Sequence, residues 1–167
     1  AFGGSFGGAT AVKLTADDPR VKAAVDHDGQ LFGAVRERGT TRPIMQLHNA
    51  TDYEKLYPEK QRPAVRELMA MTAAWDSTTR ELSSGDWYNV TIAGTDHGDF
   101  SDLALFYKRS KERIDARRAH EIINAYTLAF FDQYLRSQPS TLLSEEPSPC
   151  SEATFRARIR TPAPAAP

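Results

Sequence analysis

A serine with a glycine two residues to either side, in the run Gly3-Gly4-Ser5-Phe6-Gly7-Gly8, restricts the local backbone more than any other stretch of this sequence. The G-x-S-x-G spacing belongs to a sharp strand–turn–helix connection that holds a serine in a strained conformation with its hydroxyl exposed. Gly3 and Gly7 are expected where the chain approaches itself so closely that a side chain would clash. The setting agrees. Apolar Ala1-Phe2 reads as the last step of a strand. Residues 9–16 read as a short helix ended by Asp17-Asp18-Pro19, since proline disfavours helix in the residue before it. The competing Gly-rich motif, a phosphate-binding loop, requires Gly-Lys-Ser/Thr after the turn, and here Gly8-Ala9-Thr10 follows.

Beyond the turn, short apolar runs alternate with helical patterns. Residues 21–25 and 43–47 read as buried strands, separated by a loop at 26–33 and an exposed polar stretch at 36–41. Residues 61–82 read as a helix with Val65, Leu68, Met69, Met71 and Trp75 at helical spacing, which places them in the core. Residues 87–92 carry the aromatic and β-branched bias of a third strand. A short helix is expected over 100–108. The strongest helix spans 118–136, with Ile122, Ile123, Tyr126, Phe130 and Tyr134 on one face. Residues 137–149 are polar and turn-rich, 154–160 form a candidate edge strand, and 161–167 are an Ala/Pro tail expected to be disordered. The pattern predicts an α/β fold, a mostly parallel sheet covered by helices, in one domain over residues 1–160. Three or four strands with about four helices are few for a sheet that needs cover on both faces, so the domain is expected to be incomplete.

Composition narrows the chemistry. Hydrophobic residues make up 40% and charged residues 26% of the 167, the balance of a globular domain with a core. The formal net charge of −1 gives no electrostatic case for nucleic acid. No apolar run approaches the roughly 18 residues of a membrane span, and no leader segment is visible. The single cysteine, Cys150, excludes an internal disulfide and a cysteine-based zinc cluster, and reads as a surface thiol.

A serine on such a turn requires a histidine base, and the histidine requires a carboxylate to hold its tautomer. The sequence has His27, His48, His97 and His120. His97, in the loop directly after the third strand, is placed to reach back over the serine. His120 lies on an exposed helix face, and His27 and His48 lie next to strand ends. Asp28 follows the strand after the turn helix, Asp52 follows the next strand, and Asp26 is a third candidate. Bare topology favours Asp52 slightly, against its alternative role as a helix N-cap. Spacing does not choose among them. The backbone N–H of Phe6 is the expected donor to a developing oxyanion.

Four segments together resemble the platelet-activating-factor acetylhydrolase family of α/β hydrolases, in its plasma and bacterial branch. The family's Gly-His-Ser-Phe-Gly-Gly turn is similar to residues 3–8, with Gly4 in place of histidine. Val25-Asp26-His27-Asp28-Gly29-Gln30-Leu31-Phe32 is similar to its apolar-x-Asp-Gly-x-x-Phe segment. His97-Gly98-Asp99-Phe100-Ser101-Asp102 is similar to the segment around its base. The helix from Ile122 to Leu135 is similar to its closing helix. The resemblance covers residues 1 to about 136. It implies a serine esterase or lipase with Ser5, Asp28 and His97 as the catalytic triad and Phe100 and Asp102 as packing residues. It implies no cofactor and no metal. The expected substrate is a short acyl ester, such as the sn-2 acetyl or oxidised chain of a phospholipid. Relatives are often secreted. In the family, further strands and a second oxyanion donor precede the serine, so the chain is expected to be the C-terminal half of the fold. A missing N-terminal half is then an expected partner and catalysis by the chain alone is expected to be impaired. Two rival readings stand beside it: a lipase or polyester hydrolase with Asp52 as the acid, and a catalytically silent fragment.

Overall fold

Each strand in the first part of the chain is followed by a helix, and the strands lie side by side in chain order. The structure, a computed structural model, describes residues 1–106, 112–144 and 148–160. Strands β1 (Phe2–Gly4), β2 (Ala24–His27), β3 (Ile44–Asn49) and β4 (Trp87–Ile92) are parallel, and β5 (Ala153–Arg158) closes the sheet antiparallel to β4. The helices are α1 (Phe6–Asp17), α2 (Val35–Arg38), α3 (Tyr53–Leu56), α4 (Arg62–Leu82) and α5 (Ala116–Arg136). This is the α/β architecture expected, with one strand more than the parallel runs alone supply.

Side-chain alternation divides the sheet into two faces. Val25, Met45, Leu47, Tyr88, Val90, Ile92 and Phe155 pack against Ile122, Ile123, Tyr126 and Phe130 of α5 in the larger core. Ala24, Ile44 and Trp87 on the other face pack against Ala11 and Val12 of α1 and Val35 of α2. The small residues of α1 allow the helix to lie close to the sheet next to the serine turn.

Several boundaries differ from the sequence expectation. Strand β2 runs two residues further and starts three later, because Asp26 and His27 continue the ladder opposite Gln46 and Leu47 of β3. Helix α1 starts at Phe6, so Gly7 and Gly8 belong to its first turn. The clash expected at Gly3 is present: a Cβ there would lie 2.7 Å from the Gly7 carbonyl carbon. Gly7 itself has open space, and Gly8 is the pinned position, because a Cβ there would run into the Asp26 carboxylate. Residues 36–41 are not uniformly exposed, since Thr40 is buried and its hydroxyl meets Thr15 Oγ1 at 2.8 Å.

The apolar residues of α4 are the largest correction. Leu68, Met69 and Met71 are 46%, 38% and 42% exposed, and Thr79 is the helix's one buried residue. Instead of entering the core, α4 is fastened to α2, where the Arg36 guanidinium lies 3.4 Å from the centre of the Trp75 ring. The segment expected as a short helix consists, in its described part, of 3₁₀ turns at His97–Phe100 and Asp102–Leu105; residues 107 and 108 lie outside the described residues. Cys150 is half-buried against the α5-side core rather than a surface thiol. The Ala/Pro tail lies outside the described residues.

Candidate active site

Three loops at the C-terminal ends of parallel strands meet at one point. Ser5 occupies the turn between β1 and α1 with φ 55° and ψ −127°, a left-handed conformation costly for a residue with a side chain. Its N–H donates to the His27 carbonyl at 2.8 Å, stitching the turn to the end of β2. Asp28, the first residue after β2, also has a positive φ of 59°, and its N–H donates to the Leu47 carbonyl at 2.8 Å. His97 opens the 3₁₀ turn that follows β4.

Their side chains form a continuous chain of hydrogen bonds. Ser5 Oγ lies 3.1 Å from His97 Nε2, and His97 Nδ1 lies 2.6 Å from Asp28 Oδ2. With the carboxylate as acceptor, Nδ1 carries the hydrogen, which leaves Nε2 to accept from the serine hydroxyl. Asp28 is 7% exposed and His97 52%, so the acid end is covered while the imidazole faces the opening.

The loop that carries His97 is clamped. Asp96 accepts from Gly98 N at 2.8 Å, and its own N–H donates to Asp99 Oδ2 at 2.7 Å, a reciprocal capping box. Arg113 reaches both Asp96 and Asp99, the latter fully buried. Arg113 carries no sequence signal, because it lies far from the histidine in the chain.

Asp52 is not part of this cluster. Its carboxylate is bonded to Lys55 Nζ at 2.9 Å, which holds it below the usual carboxylate range, and it is largely exposed. It stands at the N-cap position of α3 without a side-chain cap bond. The Asp26 carboxylate lies under the first turn of α1, where a Cβ on Gly8 would run into it. Its Oδ1 accepts from Gly29 N at 2.8 Å, and Oδ2 has no partner among the described residues. Burial pushes its carboxyl up to about 8. His27 is buried at the end of β2, 2.9 Å from Thr127 Oγ1, and burial lowers it to about 4. His48 faces Asp76 at 3.9 Å, and His120, half-buried, lies 3.2 Å from the Ser101 carbonyl.

Helix α1 begins one residue after Ser5, so the Phe6 and Gly7 N–H groups have no intrahelical acceptor and lie at the positive end of the helix dipole. The Phe6 ring is 73% exposed and stacks on Phe32 with centroids 5.0 Å apart and planes 3° apart. Beside His97, a cleft of about 530 Å³ lies between α4 and strands β3 and β4, lined by Asp28, His97, Asn49, His48, Asp76 and Met69 among others.

Asn49, the last residue of β3, is the site neighbour that sequence reasoning missed. Its backbone N–H donates to Asp28 Oδ1 at 2.9 Å and its Nδ2 to Asp28 Oδ2 at 2.7 Å. A lone amide at a strand end carries no motif; the only available signal was its place at the end of the strand next to Asp28.

No family model and no curated protein matches this chain. Among solved structures it is similar to a ferulic acid esterase from Streptomyces cinnamoneus, with a TM-score of 0.64 and 28% identity. The likeness covers 92% of this chain and 45% of that one, so the chain spans less than half of the esterase's length. Its mostly parallel α/β fold is similar to that of this esterase. The acetylhydrolase likeness rests on the four sequence motifs alone.

Proposed function

We propose that the chain is the nucleophile-bearing part of a serine carboxylic-ester hydrolase. The observation that carries the reading is the unbroken path Ser5 Oγ–His97 Nε2, His97 Nδ1–Asp28 Oδ2, at 3.1 and 2.6 Å, beside the Phe6 and Gly7 N–H groups that open α1. The fold's similarity to a ferulic acid esterase supports it.

In this reading Ser5 Oγ attacks the ester carbonyl as its proton passes to His97 Nε2. Asp28 holds the Nδ1–H and balances the imidazolium charge. The carbonyl oxygen becomes an oxyanion that accepts from the Phe6 N–H. Collapse breaks the bond to the alkoxy oxygen, which takes the proton from Nε2 and leaves as the alcohol. Water then repeats the sequence on the acyl-serine, returning the acid and the free hydroxyl.

The four motifs favour a short acyl group, as in the acetylhydrolases. A planar aromatic acyl group is the second reading. It is favoured by the exposed Phe6–Phe32 stack, a flat apolar surface that begins at the residue after the nucleophile, and by the activity in the neighbour's name. Hydrolysis of p-nitrophenyl acetate and of methyl ferulate by wild type and Ser5→Ala tests both. The proposal expects turnover that falls by about 10⁴-fold or more in Ser5→Ala. Equal turnover in the two proteins overturns it. A preference for the ferulate that disappears in Phe32→Ala selects the aromatic reading.

A further inference from the structure

The loop after β3 touches both the acid and the base-bearing loop, and Asn49 is its hub. The Asn49 amide spends both its hydrogens: one goes to Asp28 Oδ2 at 2.7 Å and one to Tyr53 Oη at 2.8 Å. Its carbonyl oxygen accepts from Thr51 N at 2.8 Å, so exchanging oxygen for nitrogen would set donor against donor at Thr51 and acceptor against acceptor at Asp28, and only the contact with the Tyr53 hydroxyl would survive. The Asn49 backbone N–H holds the other carboxylate oxygen at 2.9 Å. One residue therefore holds both oxygens of Asp28, sharing Oδ2 with His97 Nδ1. Two residues on, Thr51 Oγ1 donates to the Thr95 carbonyl at 3.1 Å, just ahead of His97. Asp28 requires such external support, since it sits in the left-handed region with φ 59°.

We infer that Asn49 is a positioning residue: it sets the plane of the Asp28 carboxylate so that Oδ2 lies in line with His97 Nδ1, and it acts on ester hydrolysis only through Asp28. The inference rests on the esterase reading above. A residue that merely ends β3 would have none of this directional coupling.

The test is a double-mutant cycle on the full chain with p-nitrophenyl acetate, joined to a proton NMR measurement of the His97 ring N–H. Asn49→Ala is expected to lower kcat about 10- to 100-fold with KM within about twofold, the signature of misplaced catalytic groups rather than lost binding. In the Asp28→Ala background the same change is expected to alter kcat less than about twofold, because its target is gone. Losses that multiply, or a loss carried by KM, overturn the inference. If Asn49→Ala does not fold, Tyr53→Phe, which frees one amide hydrogen, replaces it with a smaller loss and the same non-additivity. In the NMR arm, the downfield resonance of the Nδ1 hydrogen is expected in wild type, absent in Asp28→Ala, and shifted upfield in Asn49→Ala or Tyr53→Phe. An unchanged resonance in those variants overturns the inference whether or not the chain turns over an ester. Absence of ester turnover in wild type, with the resonance shifted as expected, would instead sink the esterase reading and leave the positioning role standing.

Discussion

Asp26 and Asp28 lie two residues apart and live in opposite surroundings. Asp28 accepts two hydrogen bonds from Asn49 and one from His97. Asp26 is fully buried and accepts one, from Gly29, and burial, with Asp76 and Asp28 nearby, pushes its carboxyl up to about 8. The folded protein thus keeps Asp26 protonated at pH values where the unfolded chain, titrating near 3.9, has lost the proton. Between about pH 4 and 8 the unfolded state binds fewer protons, so stability falls as pH rises through that window and levels off above it. Asp26→Asn removes this titration and keeps an acceptor for Gly29. Thermal melts from pH 5 to 8.5 should show wild type losing stability relative to the variant as pH rises. A difference between the two curves that is independent of pH would refute the protonated carboxyl. Kinetics at the other acid separate the rival assignments. Asp28→Asn is expected to lower kcat roughly 10⁴-fold, as loss of the histidine's orienting acid does in serine hydrolases, and Asp52→Asn to leave it within about twofold. The reverse order would restore Asp52 as the acid.

At the scale of elements, helix α4 separates pattern from packing. Its apolar spacing has helical period, yet Leu68, Met69 and Met71 remain exposed while Ile122 and Phe130 of α5 are buried. Single substitutions should report this directly. Leu68→Ser and Met71→Ser are expected to change stability by about 0.5 kcal/mol or less. Phe130→Ala is expected to cost about 3–5 kcal/mol. Denaturant melts that rank α4 beside α5 would contradict the exposure of α4's apolar residues. Periodicity finds a helix but does not say what covers it, which is why the existence of α4 was legible and its burial was not. Strand β2 failed for a related reason: Asp26 and His27 are polar, and only their pairing with β1 and β3 keeps them in the ladder. The site divided the same way. Ser5 was legible from glycine spacing and His97 from its place after a strand. That Asp28 rather than Asp52 lies against His97 depends on how the strands pack side by side, and Asn49 has no sequence mark at all.

Over the whole molecule, the sheet places Ser5 after the strand at one end of its order and His97 after the strand next to the other end. Among the described residues, β1 pairs only with β2, whereas β3 and β4 are each paired on both sides under the α5-side core. Backbone protection follows from this order. Native-state hydrogen exchange should find the slowest amides in β3, β4 and α5 and faster exchange in β1 and α4; uniform protection would argue against that gradient. The reaction proposed here depends on holding Ser5, from the less protected edge, in register with His97 and Asp28. Labelling the full chain with a fluorophosphonate, followed by mass mapping of the modified residue, tests that alignment most directly. The label is predicted on Ser5, lost in Ser5→Ala, strongly slowed in His97→Gln and unchanged in Asp52→Asn. Labelling of Ser5→Ala at the wild-type rate would contradict the assignment of the nucleophile.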